Sequence, residues 1–416
     1  MSVDPADIST REARRTIALL VAASGLCYLS MGCYVAVLPG YVLDHLGLST
    51  TALGVAMGAT AVVAVGLRPL GGGLGDRYGR RPLGVAGAVV LGGGAALLLG
   101  PGSLALVILA RVLIGAGDAL FTTAGFAWVA DVAAPERRGR AMATIGMAFW
   151  LGLALGPQWG VLAREAGGYD AVWALAALSA LLAAVIVRLI PVEARSRRSH
   201  ESSPAAAKIP RGALLPALAM VLAAYGNGVF EAFGIVHLTG RGLPGGAGLG
   251  GAASVFTVVA VTTFLGRFGG GVLADRVGPR PVGAAGVVLV AGSYLAFAFA
   301  SSFAAAALGA ALLGVGLALL YPALALTVTR KVPARERGAG LGVFLASMDV
   351  AFGVGPVLGG VVISSASSEA ALASAAAVAV LALPLVLLNR VPSADAEEEA
   401  ADEEAVELAG ERPAPV

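Results

Sequence analysis

Four ionisable side chains stand inside long apolar stretches of this 416-residue chain: Arg111, Asp118, Glu231 and Asp349. An ionised group at the centre of an apolar layer costs roughly 2.5–3.5 kcal/mol on insertion scales, so such residues mark ion paths, ligand sites or static ion pairs. Arg111, Gly115 and Asp118 are spaced i, i+4, i+7 and share one face of a helix. Taking a carboxyl out of water favours its neutral form, and a nearby guanidinium can tune or expel the proton. The chemistry open to these residue types is therefore proton exchange. Glu231 or Asp118 is the candidate exchangeable site, and Asp349 is a second site or a holder of a cationic ligand. A static Arg111–Asp118 pair is the structural alternative.

The elements that must position these charges are membrane spans. The chain is 58% apolar and 13% charged, with a mean hydropathy of +0.85, whereas a soluble domain carries about 25% charged residues. Twelve apolar runs of spanning length are legible, at 16–38, 51–72, 83–101, 104–131, 140–163, 170–190, 213–237, 249–272, 282–300, 303–329, 339–363 and 369–389. The first is too long for the apolar region of a cleaved signal and reads as a permanent span. The expected class is thus an all-α integral membrane protein with two six-helix bundles, 16–190 and 213–390. They are flanked by an N-terminal segment 1–15, a linker 191–212 and a tail 391–416.

Of the loops expected to face outside, only two carry a basic residue, Arg164 and Arg241, whereas Arg11, Arg14, Arg15, the two motif-like turns, Arg137, Arg138, Arg140, the 191–212 linker and Arg330-Lys331 fall on the opposite side, which places both termini in the cytoplasm. Net charge is +2, but residues 391–416 carry −8 and the rest +10. The tail reads as a solvated, disordered segment. The basic remainder reads as topological bias and not as a nucleic-acid footprint. Cys27 and Cys33 lie in the first span and read as apolar packing. The scarcity of lysine, two against 26 arginines, suggests a GC-rich bacterial genome.

The chain repeats itself at an offset of 199 residues without a gap. Arg68 meets Arg267, Asp76 meets Asp275, Pro82 meets Pro281, and Gly156-Pro157 meets Gly355-Pro356. Positions identical in both halves are expected to be scaffold, and positions that differ are better candidates for chemistry. The four intramembrane charges all differ: their partner slots hold Ala310, Leu317, Gly32 and Trp150. A glycine-rich, charge-dense turn also recurs, Gly72-Gly-Leu-Gly-Asp-Arg-Tyr-Gly-Arg-Arg81 and Gly271-Val-Leu-Ala-Asp-Arg-Val-Gly-Pro-Arg280. These two copies resemble motif A of the major facilitator superfamily of secondary transporters, and the resemblance covers about residues 15–390.

That resemblance implies two pseudo-symmetric bundles that rock about a midplane cavity to give alternating access. It implies a latch formed by Gly72, Asp76, Arg77, Gly79, Arg80, Arg81 and Asp131, with Asp275 and Arg276 in the second copy. Asp76 is implied to face the start of the eleventh span near Gly338, and Arg80 to join it to Asp131. Pro279 and Arg330 fill the Arg80 and Asp131 slots of the second half, so the relay is one-sided. Gly152, Gly156, Pro157 and Gly160 resemble the fifth-span signature of twelve-helix drug:proton antiporters, although Val161 stands where that pattern has a second glycine. Arg111-x-x-x-Gly115-x-Gly117 resembles a motif whose arginine is associated with proton transfer. Candidates for the substrate cavity are Tyr28, Tyr34, Phe121, Phe149, Trp150, Asn227, Phe230 and Phe233.

Lys208 and Lys331 are followed by Ile and Val, so there is no phosphate-binding Gly-Lys-Ser/Thr loop and direct ATP drive is excluded. No nucleophile or metal constellation is visible, and an enzyme is not expected. The resulting expectation is a monomeric, cofactor-free exporter of amphipathic drugs or natural products in the bacterial inner membrane, with the proton as coupling ion. A proton-coupled sugar or metabolite permease, or symporter, is the alternative within the fold. A non-transporting membrane scaffold or sensor that docks through its acidic tail is the alternative outside it.

Overall fold

The computed structural model describes residues 2–3, 10–134, 137–191, 193–194, 210–333 and 336–389. The acidic tail and most of the linker, including Arg195, Arg197, Arg198 and Lys208, lie outside the described residues. The helices are α1 (Thr10–Gly40), α2 (Thr50–Tyr78), α3 (Arg80–Leu97) and α4 (Leu104–Val132). A single helical run, Arg138–Arg188, follows. The second half holds α7 (Arg211–Gly240), α8 (Ala252–Val277), α9 (Pro279–Phe299), α10 (Phe303–Lys331), α11 (Arg337–Ser365) and α12 (Ser368–Leu388). A parallel pairing of Ser2–Val3 with Glu193–Ala194 is the sole strand contact among the described residues.

The run 138–188 cannot be one straight span. At 51 residues it would be about 76 Å long, against an apolar layer of about 30 Å. Gly167 (φ −156°, ψ 25°) and Gly168 (φ 72°, ψ −163°) break it, dividing it into α5 (138–166) and α6 (169–188). Among the described residues ten helical runs are long and apolar enough to cross a membrane. This one crosses twice, and α3, which Arg80 and Arg81 make less apolar, is a further crossing. The total is the twelve expected from the apolar runs.

The motif A stretch is not the broad turn its composition suggests. Helix α2 runs through Gly72 to Tyr78, and the reversal is made by Gly79 alone at φ 97°. Gly278 makes the same reversal at φ 96°, 199 residues later. Only a residue without Cβ adopts this backbone at low cost. At the opposite end of the bundle, Ser49, Ser103, Ser302 and Ser367 cap α2, α4, α10 and α12 by accepting a backbone N–H two or three residues into the helix.

Within the first half, α1 lies on α5, and α3 lies on α4 and α6; the second half repeats this with α7 on α11 and α9 on α10. The halves meet along α2 with α11 and along α5 with α8. Glycines allow the closest approaches. A Cβ on Gly58 would come within 2.6 Å of the Gly353 carbonyl oxygen, and one on Gly160 within 2.8 Å of the Cys33 carbonyl oxygen. Such small-residue seams are how helices approach in an apolar solvent, where no hydrophobic drive separates helix from lipid.

Candidate functional site

At mid-depth of the bundle an arginine ties the two halves together. Arg68 on α2 places Nη2 3.2 Å from Asp118 Oδ2 on α4, in its own half, and Nε 2.8 Å from Asp349 Oδ2 on α11, in the other. Its Nη2 also donates to Asp349 Oδ1 at 3.3 Å. Asp118 accepts further hydrogen bonds at Oδ1 from Tyr28 Oη (3.0 Å) and Thr122 Oγ1 (2.8 Å). Asp118 is buried and the Arg68 side chain is 30% exposed. Tyr28 stacks on Phe149 at 4.3 Å, and Phe126 meets Phe149 edge-on at 5.2 Å. Two carboxylates from opposite halves therefore share one guanidinium.

The Arg111–Asp118 pair is not formed. The two residues share a face, but seven residues separate them by about 10 Å along the axis. Arg111 instead lies over the Tyr34 ring at 5.9 Å and donates to the Met57 carbonyl at 3.4 Å. It is within electrostatic reach of Glu231, across the boundary between the halves. Glu231 lines an internal chamber with Trp150, Leu153, Asn227, Phe230, Phe256 and Leu317. With the described residues it makes neither a hydrogen bond nor an ion pair.

The cavity candidates separate into three groups. Trp150, Asn227 and Phe230 line the chamber; Phe230 is stacked between Phe256 at 4.9 Å and Phe297 at 4.0 Å. Tyr28 and Phe149 stand beside Asp118. Tyr34, Phe121 and Phe233 are buried within one half: Tyr34 stacks on Trp173, Phe121 packs its backbone against Gly87, and Phe233 approaches Gly359. Aromatic type alone carries no sign of which way a ring faces.

A second arginine has the position of Arg68 but different company. Arg267 on α8 lies over the Trp150 ring at 5.3 Å and the Tyr321 ring at 5.7 Å. Its side chain is exposed. With the described residues it forms no ion pair and no hydrogen bond.

In motif A, Arg80 is buried between two acids, with Nη2 2.7 Å from Asp76 Oδ1 and Nε 3.2 Å from Asp131 Oδ2. Gly75 makes room for it, since a Cβ there would strike the guanidinium. Arg81 donates to the Pro191 carbonyl and lies 6.0 Å from the Trp128 ring, and Arg77 lies over Tyr78. Asp275 and Arg276 occupy the last turn of α8 and are exposed. Gly338 is exposed at the start of α11, with nothing within 4 Å of where its Cβ would stand. Gly152, Gly156 and Gly160 form the seam on which α1 sits, and Pro157 packs its ring near Gly32.

At the end away from motif A the halves are joined. Thr50 Oγ1 donates to the Gly360 carbonyl at 3.1 Å and Thr257 Oγ1 to the Ala154 carbonyl at 3.0 Å. The loop after α7 closes on α5: Ala247 N–H donates to Glu165 Oε1 at 2.9 Å and Gly248 N–H to Gln158 Oε1 at 3.1 Å. Toward motif A, beyond the Arg68–Asp349 bridge, Gly73 of α2 and Gly338 and Gly342 of α11 have nothing within 4 Å of where a Cβ would stand. The halves are thus hydrogen-bonded to one another at the far end.

Two six-helix bundles meeting around a midplane chamber that holds the Glu231 carboxyl have the architecture of a membrane transporter. The family model of the Major Facilitator Superfamily matches residues 20–266 and 211–414, and the chain belongs to that family. It is 30% identical over 356 residues to an MFS-type transporter of Salmonella typhimurium (strain LT2), covering 83% of this chain and 89% of the relative. Among solved structures it resembles the nucleoside transporter NupG (D323A mutant), with a TM-score of 0.76 at 13% identity over 90% of this chain and 99% of that one. A bacterial homologue of the human lysosomal transporter Spinster, inward-facing and occupied, superposes with a TM-score of 0.75 at 15% identity, covering 92% and 97%.

Proposed function

We propose that the protein is a proton-coupled exporter of amphipathic drugs or natural products, working by alternating access in a bacterial inner membrane with both termini in the cytoplasm. The observation that carries the reading is Glu231: a carboxyl in the chamber between the halves, among Trp150, Asn227 and Phe230, within electrostatic reach of Arg111 but in direct hydrogen bond or ion pair with none of the described residues. Asp118 has three donors around it, so its carboxylate is already engaged, whereas Glu231 is available to take and release a proton. The basic loops at the motif A end assign that end to the cytoplasm. In the cytoplasm-open state of such a cycle a proton brought inward on Glu231 leaves and cargo loads. One net charge moved down about 100 mV supplies about 2.3 kcal/mol, enough for a roughly 50-fold gradient.

The test is proteoliposomes with an imposed pH gradient and a pH-sensitive dye, to which amphipathic compounds are added. Compound-dependent proton movement in the native protein that is lost in Glu231→Gln supports the reading. A gradient dissipated equally by both proteins would remove Glu231 from the proton path, and silence toward every amphipathic compound would turn the reading to a metabolite permease.

A further inference from the structure

The internal repeat exposes an uncompensated charge. Arg68 and Arg267 occupy one slot of the two halves. Around Arg68 that slot contains Asp118, Thr122 and, from the other half, Asp349. The repeat-equivalent residues around Arg267 are Leu317, Tyr321 and, from the other half, Trp150. Two of them, Tyr321 and Trp150, are the rings over which Arg267 lies. The geometry has been kept while both counter-anions have been replaced by apolar or aromatic side chains.

Arg267 stands about 22 Å along α8 from its first residue and about 15 Å from its last, about 10 Å beyond Ala260 of the chamber wall on the motif A side. Trp150 belongs to the chamber wall, as does Leu317. A guanidinium held at this depth is costly unless an anion meets it, and the described residues provide none. Its five N–H donors are planar and match a carboxylate or sulfonate in a two-point contact. The flanking rings favour a flat apolar body next to that anion.

We propose that Arg267, Trp150 and Tyr321 form the cargo subsite, and that the cargo is an amphipathic organic anion: a carboxylate or sulfonate on Arg267, with a planar apolar body against the two rings. This rests on the reading of the chain as an exporter through the chamber between the halves, and it names the substrate class of that chamber. A membrane potential negative inside favours outward movement of an anion, so it adds to the drive from proton antiport.

The test uses three probes of one shape and different charge: 2-naphthoate, 2-naphthamide and 2-naphthylmethylammonium. Binding to purified full-length protein in neutral detergent is measured by calorimetry. The native protein is expected to bind naphthoate about tenfold or more tightly than the amide, and the ammonium least; a charge-assisted bidentate contact supports at least that factor. Arg267→Gln should reduce the preference to near unity while leaving amide affinity unchanged. Leu317→Asp, which restores a carboxylate in the slot Asp118 holds in the first half, should also abolish it, and gives a second reading if the first variant does not fold. Equal affinity for acid and amide, a preference for the ammonium, or a preference that survives both variants overturns the proposal. Phosphatidylglycerol provides a further arm. If it displaces naphthoate and loses its own affinity in Arg267→Gln, the anion is a lipid headgroup and the cargo assignment falls. Transport separates the two levels. Movement of the neutral or cationic probe, unaffected by Arg267→Gln, keeps the exporter and removes the subsite. Arg267-dependent binding without transport of any probe keeps the subsite and removes the exporter.

Discussion

Asp349 and Trp150 are the same position of the internal repeat, and each faces the arginine of the opposite half. Asp349 Oδ2 is 2.8 Å from Arg68 Nε, and Trp150 has Arg267 5.3 Å from its ring centre. One boundary between the halves, α2 with α11, is thereby closed at mid-depth by an ion pair. The other, α5 with α8, is closed by a cation over a ring. The first depends on the charge of a carboxylate, and the second does not.

Removing Arg68 should leave two carboxylates from different halves without their shared counter-charge. Breaking one side of a buried pair costs about 3–5 kcal/mol; we expect the low end, because 30% of the Arg68 side chain reaches solvent. Arg68→Gln should therefore unfold at markedly lower temperature in detergent. Adding Asp118→Asn and Asp349→Asn to it should recover most of the loss. A coupling between Arg68→Gln and Asp349→Asn below about 0.5 kcal/mol in a double-mutant cycle would show that the bridge has little energetic weight.

The motif A relay predicts an asymmetry between the halves. Arg80 sits between Asp76 and Asp131, whereas the second half holds Pro279 and Arg330 in the corresponding slots. Arg80→Ala should depress transport in vesicles far more than Pro279→Ala. Equal effects would mean that the charges at this end serve topology alone.

The glycines of α5 are not equivalent, and substitution should separate them. Gly156 is pressed against Gly32 of α1, whereas nothing lies within 4 Å of a Cβ on Gly146. Gly156→Val should cost about 1–3 kcal/mol through overpacking. Gly146→Ala should be neutral or raise stability by up to about 1 kcal/mol, from helix propensity alone. Thermal unfolding of the two variants side by side is the measurement.

Tyr28 gives a finer probe of the Asp118 cluster. Tyr28→Phe removes one donor at 3.0 Å but leaves Thr122 and Arg68 in place. A loss of about 1 kcal/mol is expected. A loss as large as that of Arg68→Gln would mean that the ring, and not the hydroxyl, supports the carboxylate.

Much of the fold was legible because apolar run length and the 199-residue offset are properties of sequence alone. The reversal at Gly167–Gly168 was legible too, as two spans, although the helix carries no loop there. The site was less legible, and Arg68 shows why. Its identity with Arg267 marked it as scaffold, yet the two arginines meet different neighbours. What separates them is written at 118, 150, 317 and 349, positions that only three-dimensional contact connects to 68 and 267. The Arg111–Asp118 alternative failed for a related reason: helical spacing puts two residues on one face but not within reach. Tyr34, Phe121 and Phe233 read as cavity candidates because ring type is visible in sequence and ring direction is not.

The glycine pair at 167 and 168 also bears on how the first half moves. α5 forms the boundary with α8, and α6 lies behind it against α3. The two are joined by two glycines instead of a loop, so their ends stay together while the backbone between them is free to turn. If α5 swings away from α8, the near end of α6 must follow, while the rest of α6 can keep its place against α3. The glycine pair is an elbow, at which the inner helix can tilt without dragging the outer ones along.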